Sequence, residues 1–512
     1  MNSISIYNDK PSKGGIRVST LVATITSFVF VSVLVSQLLS AVEPLPLLSL
    51  VFLIFTMAML SVLLFVGDRS KNGIGIFFYI LFLIYYGFSY INLTFFEGNF
   101  HRGNETLIGN LNEAVLISYV TLFFTITLCV VFILAFRGKN GISNKSTVFL
   151  LKNPIRAVRI AVFLSIFAIF MHHYAFVFLG VGRYAGWVEN TALFRYIYFI
   201  FIDKDIYFIL TMGLVIASWG LLGRYEKILF TVLVLVYISQ ALFFGSKAGI
   251  FWTAIYSIGL LLFIRGDFKI KYKVLMIVGV VVLFLLPLSY GIGMVFRSLQ
   301  NVSEYAGEIV TISDIIDHAL LVMNDRGSEI FNFENMFRSI FARISAFDSF
   351  VVVLDYGLSP YLASNVVGGV INTLLPGVYF ENSLPASQIY AVVYLDSTLK
   401  DALENYHTEI YYIFGAFIPY FGVILGLMVS VFLIVTLFNV YDRLHTLFSS
   451  RKIYYMAFFM YLFTWLFVYM GIEEFLFMLT SGVLHLFIFI FIVEYFSNKK
   501  RIENHIFSIY FK

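Results

Sequence analysis

Residues 18–39 read VSTLVATITSFVFVSVLVSQLL, a run with no Asp, Glu, Lys or Arg. A helix rises about 1.5 Å per residue and the hydrocarbon core of a bilayer is about 30 Å thick, so a run of this length crosses it once. The run is too long for the apolar core of a cleavable signal and lacks a small-residue cleavage site, so it reads as a retained span. Runs of the same kind recur at about 45–66, 74–95, 113–136, 157–180, 205–222, 227–244, 248–264, 274–296, 410–438, 454–470 and 476–496. Lipid offers backbone groups no hydrogen-bond partner, so each run must be a helix. The expected fold is all-α: a polytopic integral membrane protein of about twelve transmembrane helices.

Composition points the same way. The chain is 60% hydrophobic and 12% charged, against roughly 45–50% and 25% in soluble domains. Its 59 Phe and 33 Tyr suit helices that face lipid with Phe and place Tyr at the headgroups. The single cysteine, Cys129, excludes an intrachain disulfide and reads as a small core residue. A net charge of +4 in such a chain reports topology and does not call for a nucleic-acid partner.

With the N-terminus inside, most of the 34 Lys and Arg fall on the cytoplasmic side, among them Arg17, the Arg137–Arg159 cluster, Arg224, Lys227, Arg451 and the Lys499–Arg501 tail. Both termini are therefore expected in the cytoplasm. Residues 1–296 read as a bundle of about nine helices, 297–409 as a large extracytoplasmic loop with amphipathic helices, and 410–512 as about three more helices with a basic tail. No internal repeat supports an inverted-repeat transporter. Within the loop, Phe333, Met336, Phe337, Ile340, Phe341, Ile344 and Phe347 share one face at helical spacing, as in a helix lying on the membrane surface. Downstream, Gly368-Gly369, Pro376 and Pro385 interrupt an apolar stretch, which points to short or re-entrant helices packed on the bundle.

Span interiors carry almost no ionisable residue, which disfavours a proton-coupled carrier. His172, His173 and His485 are the exceptions, and the adjacent pair faces different sides of a helix, so it does not suggest a metal site. No CxxC, HExxH or GxxxxGK[ST] motif occurs, so neither a metal nor a nucleotide is expected. What stands out is a set of outer-side cations: Arg102, Arg183, Arg195, Lys204, Lys247, Arg297, Arg326, Arg338, Arg343 and Lys400. Lys247 occupies the tight hairpin Gly245-Ser-Lys-Ala-Gly249, where glycines let backbone approach an anionic headgroup; snorkelling to lipid phosphate is the competing account. Arg343 lies at the margin of the apolar face of its helix and Arg338 on the polar side. A guanidinium at such a margin can grip a diphosphate bidentately or pair with Asp348. A general base must be a carboxylate or imidazole at the same level. Glu404, His407 and Glu409 supply it just before the tenth span, where Glu409 also suits a helix N-terminus. Glu473-Glu474 is a second choice that loop solvation also explains.

The Gly-Ser-Lys hairpin at 245–249, the large outer loop with its Phe-Ala-Arg343 helix, and His407-Thr-Glu409-Ile-Tyr-Tyr-Ile-Phe414-Gly415 leading to Gly422 and Gly426 resemble the bacterial O-antigen and oligosaccharide-repeat-unit polymerases of the Wzy type. The similarity spans the chain in topology and is carried by short motifs; the hairpin has lysine where that family has arginine or lysine. The resemblance implies a glycosyltransferase-C-like bundle in the bacterial inner membrane. It would join undecaprenyl-diphosphate-linked oligosaccharide donors and acceptors, alongside a flippase and a chain-length regulator, to build O-antigen or capsule. It further implies Lys247, Arg343, Arg338, Arg297 and Arg183 as diphosphate ligands, Glu409 or His407 as base, no cofactor or metal, and an inverting displacement. A ligase of finished glycan, a flippase or exporter of lipid-linked sugar, and a non-catalytic assembly protein are the rival expectations.

Overall fold

A computed structural model of the chain describes residues 16–39, 44–65, 72–90, 110–137, 153–178, 204–243, 249–271, 321, 347–356, 412–447, 451–468 and 472–510. These residues form α1 (Val18–Leu39), α2 (Pro44–Phe65), α3 (Gly73–Phe82), α4 (Leu111–Arg137), α5 (Pro154–Phe178), α6 (Lys204–Ser218), α7 (Arg224–Phe243), α8 (Gly249–Arg265), α9 (Phe347–Tyr356), α10 (Tyr412–Gly415), α11 (Ile418–Thr446), α12 (Lys452–Val468) and α13 (Ile472–Tyr510). A two-residue ribbon, β1 (Ile16–Arg17) with β2 (Lys269–Ile270), is antiparallel, pairing Ile16 with Ile270.

Among the described residues eight helices are long and apolar enough to cross a membrane: α1, α2, α3 extended to Tyr90, α4, α5, α6 extended to Leu221, α11, and residues 479–497 of α13. The chain is thus an all-α, multi-pass membrane protein. α8 and α12 are apolar but shorter, and α7 opens on Arg224, Glu226 and Lys227. The predicted span 274–296 and most of the predicted loop 297–409 lie outside the described residues.

α3 is the central helix, with every residue but Ile80 buried from Gly73 to Phe82. Phe77 and Phe78 meet Phe263, Phe438, Phe463 and Phe467 at ring-centroid distances of 5.3–6.3 Å. Edge-on and offset rings attract through their quadrupoles in addition to the area they bury. Lipid competes for apolar surface as well as protein does, so such shape-specific contacts and interhelical hydrogen bonds hold the bundle. Such bonds link α5 to α6, where the Ser165 and Thr211 hydroxyls lie 2.7 Å apart with the Tyr207 and Ala161 carbonyls at 2.9 and 3.1 Å, so two protons serve this cluster of acceptors.

The helix ends sort onto two faces. On one, which we call the ion-pair face, Asp267 accepts the Ser19 amide and hydroxyl at 3.2 and 2.7 Å, with Arg17 3.8 Å away. Asp267 therefore caps the start of α1 from the distant end of α8, through Gly266, whose φ of 67° turns the chain out of the helix. Asn72, heading α3, donates to the Leu64 carbonyl at the end of α2, and the Tyr441 hydroxyl reaches the Phe263 carbonyl at 3.4 Å. Arg159 joins α5 to Glu226 of α7, and Arg451 joins the start of α12 to Glu494 of α13. On the opposite face Tyr90 brings the ends of α1, α2 and α3 together, its hydroxyl lying 2.8 Å from both Gln37 Oε1 and the Pro46 carbonyl.

Two expectations are refined. The predicted span 410–438 is not one helix: α10 ends at Gly415, α11 starts at Ile418 with Pro419 in its first turn, and Gly422 breaks it again at φ 76°, ψ 173°. Residues 413–420 fold back into the bundle and are buried. Ser430 holds the fold-back by donating to the Ile413 carbonyl at 2.7 Å. Gly426 lies under its backbone, where a Cβ would stand 2.7 Å from the Ile418 nitrogen and Cα. The predicted surface helix 333–350 is described only from Phe347. There Phe347 and Phe350 are buried instead of lying on a surface, with Phe347 stacked on Tyr119 at 4.1 Å.

Gly426→Val should therefore destabilise the protein in detergent by about 1–3 kcal/mol, the usual cost of overpacking. Gly220→Ala, with nothing within 4 Å of the added carbon, should melt like the wild type. The hydrogen bond from Arg159 holds the Glu226 carboxyl below its ordinary value, outweighing the opposing effect of burial. The pair's contribution is thus complete above the ordinary value of about 4.5 and is lost as pH falls from there toward the lowered value. Melting of wild type in that acid window should show a decline that Glu226→Gln does not share.

Candidate functional site

The strongest polar concentration among the described residues on the face opposite the ion pairs lies where α5, α6 and α7 end. α5 and α7 run side by side in the same direction. Arg159 meets Glu226 at one end of the pair, and His172 meets Gln240 at the other, about 20 Å along the helices. α6 runs back between these levels, because Ser165 and Ala161 of α5 meet Tyr207 and Thr211 respectively.

Gln240 Nε2 donates to the Ile169 carbonyl at 2.9 Å and lies 3.3 Å from His172 Nδ1. An amide nitrogen can only donate there, so the neutral imidazole carries its proton on Nε2. The Tyr237 hydroxyl donates to Asp205 Oδ1 at 2.7 Å, and its ring stacks on Phe208 at 3.9 Å. Lys204 Nζ sits 5.8 Å above the Tyr237 ring. Gln240 Oε1 is buried without a hydrogen-bond partner. One turn deeper, His485 is fully buried against the Tyr207 ring at 5.5 Å. Its Nδ1 donates to the Ser481 carbonyl at 2.7 Å, which leaves Nε2 as a bare, buried, unpartnered acceptor.

A second wall of this face is aromatic. A π turn at Leu83–Gly87 ends α3. Around it the Ser89 and Tyr119 hydroxyls donate to the Tyr85 and Tyr86 carbonyls at 2.9 and 3.2 Å. Tyr86 stacks on Phe82 at 5.0 Å and meets Phe414 of the fold-back and Phe350 of α9 edge-on at 5.4 and 6.5 Å. π turns and interrupted helices at membrane depth occur where backbone is buried in protein or faces a cavity. The polar end combines imidazole, ammonium, carboxylate, amide and phenol, and the aromatic wall lies on the same face of the bundle. Such a set can hold polar ligand groups by charge and hydrogen bonding.

The predicted diphosphate ligands Lys247, Arg343, Arg338, Arg297 and Arg183 and the predicted bases Glu409, His407 and Glu404 all lie outside the described residues, as do the side chains of Glu473 and Glu474. The structure brings together Lys204 and His172, which stood out in the sequence as cation and intramembrane titratable group. It adds Asp205, Tyr237 and Gln240, whose only sequence signal is polarity near the ends of apolar runs. Among the described residues no three His, Cys, Asp or Glu side chains group as metal ligands. The chain matches no family model, no curated protein and no solved structure.

The unpartnered His485 Nε2 gives a direct check on the buried polar layer. An unsatisfied buried acceptor costs about 1–3 kcal/mol. His485→Phe, which keeps a ring and removes the acceptor, should melt at or above the wild-type temperature in detergent.

Proposed function

We propose that the chain is a membrane glycosyltransferase that polymerises undecaprenyl-diphosphate-linked oligosaccharide repeat units of a surface polysaccharide, O-antigen or capsule, at the outer face of the bacterial cytoplasmic membrane. The observation that supports the reading is the convergence of element ends on the face opposite the ion pairs. Phe243 of α7 and Gly249 of α8 stand on either side of the Gly245–Ala248 stretch that holds Lys247; Phe347 of α9 follows Arg343 by four residues, and Tyr412 of α10 follows Glu409 by three. The polar end of α5, α6 and α7 and the aromatic wall belong to this same face. The excess of Lys and Arg in the segments joining the other ends supports the cytoplasm for that side, with both termini inside and about twelve spans in all.

The chemistry follows from the groups. An acceptor hydroxyl attacks C1 of the donor sugar, the C1–O bond to the lipid diphosphate breaks, and the electron pair leaves with the diphosphate. Fixed cations supplied by Lys247, Arg343, Arg338, Arg297 and Arg183 stabilise that developing charge. Glu409 or His407 takes the proton from the attacking hydroxyl. One displacement with one base inverts the anomeric centre.

Purified protein given a single lipid-linked repeat unit should produce a ladder of products. Lys247→Ala and Arg343→Ala should each lower polymer by about a hundredfold, with membrane insertion unchanged. A product that forms only when a second lipid acceptor is added identifies a ligase. Transport across vesicles with no bond formation in detergent identifies an exporter. Undiminished polymer in both variants removes the site assignment.

A further inference from the structure

The ion-pair end of α5, α6 and α7 carries more cation than its carboxylate neutralises. Arg159 donates to Glu226 Oε1 through Nε at 2.8 Å and Nη2 at 2.5 Å, which uses the one acidic group of the cluster. Arg156 lies one turn further out on the same side of α5, and Arg224 and Lys227 open α7. Among the described residues Arg156, Arg224 and Lys227 have no carboxylate partner. Two cations of the cluster rest on aromatic rings. Arg159 Cζ sits 5.3 Å above the Tyr225 ring and Lys227 Nζ 5.1 Å above the Trp219 ring.

Those rings and their neighbours mark the depth. Trp219, Leu221 and Tyr225 are 43%, 41% and 59% exposed at the α6–α7 turn, where an amphipathic ring belongs at the headgroup level. Directly below, Ile228, Val232 and Leu235 are exposed at 52%, 43% and 59% and lie at helical spacing on one face of α7, an apolar track leading from the cations into the bilayer. A soluble phosphate would use the cations and leave the track empty. A phospholipid uses both.

We propose that this end is a binding site for one anionic phospholipid, its phosphodiester on Arg224 and Lys227 and an acyl chain along Ile228, Val232 and Leu235. The lipid would lie along the side of α7 that faces away from the Arg159–Glu226 pair, at the end opposite the polar site. The inference is independent of the glycosyltransferase reading, because it rests on no residue assigned to that chemistry.

The test is native mass spectrometry of the full chain released from nanodiscs of phosphatidylcholine with or without phosphatidylglycerol. Wild type should retain phosphatidylglycerol and not phosphatidylcholine. Arg224→Gln/Lys227→Gln should bind it roughly thirtyfold more weakly, as expected for two lost headgroup-level cations. Lys269→Gln/Lys271→Gln, which removes the same charge from the same face, should change retention by less than about twofold, since it leaves the site intact. Equal loss in both double variants means diffuse charge attraction and overturns the site, as does equal retention in all three proteins. Displacement of the lipid by inorganic phosphate would also overturn it. Melting in phosphatidylcholine alone checks that each variant is folded; should the double variant fail, Lys227→Gln alone carries the same expectation at about fivefold.

Discussion

Everything in this structure answers to one constraint: within lipid, each backbone N–H and C=O must find its partner inside the chain. Uninterrupted helices satisfy it automatically, and they account for most of the described residues. The informative places are those where a helix stops. Ser430 reaches across the fold-back to the Ile413 carbonyl, and the Ser89 and Tyr119 hydroxyls take carbonyls around the π turn. Asp267 supplies the acceptor that the first turn of α1 lacks. Each of these three places has a side chain assigned to it, which makes them built features of the fold.

The same constraint sorts the polar side chains by depth. Full charges stay at the ends, as in Arg17–Asp267, Arg159–Glu226 and Arg451–Glu494. Hydroxyls deep in the bundle bond to each other or to helix carbonyls, as Ser165 and Thr211 do. The α5–α6–α7 unit shows both regimes along one axis. Its two ends are fastened differently, by an ion pair at one and by Gln240, His172, Tyr237 and Asp205 at the other. Fastening at both ends limits sliding between α5 and α7, which keeps the polar end in register for any ligand.

Hydropathy made the helices legible because a bilayer-spanning run is a one-dimensional signal. It misplaced the tenth span because Ile413 to Phe421 is apolar whether it continues a helix or folds back. Pro419 and the glycines at 415, 422 and 426 were the only clues to the break. Phe347 was legible as part of an apolar face but not as a ring stacked on Tyr119, since a single sequence does not say what covers a face. The polar cluster was least legible. Gln240 and His172 meet across 68 positions of chain and Asp205 and Tyr237 across 32, and no periodicity within one helix reports a contact between helices.

The unpartnered acceptors carry the argument about function one step further. Gln240 Oε1 and His485 Nε2 are both acceptors, both buried, and both near the end of the bundle where Lys204 and Asp205 sit. Neutral acceptors do not attract a phosphate, which offers only more acceptors at neutral pH; they call for a donor such as a hydroxyl or a water. Within the glycosyltransferase reading, the α5–α6–α7 end then suits the hydroxyl-rich part of a substrate. On that same reading, the charge of the leaving group would be left to the lysine and arginines proposed in the connecting segments.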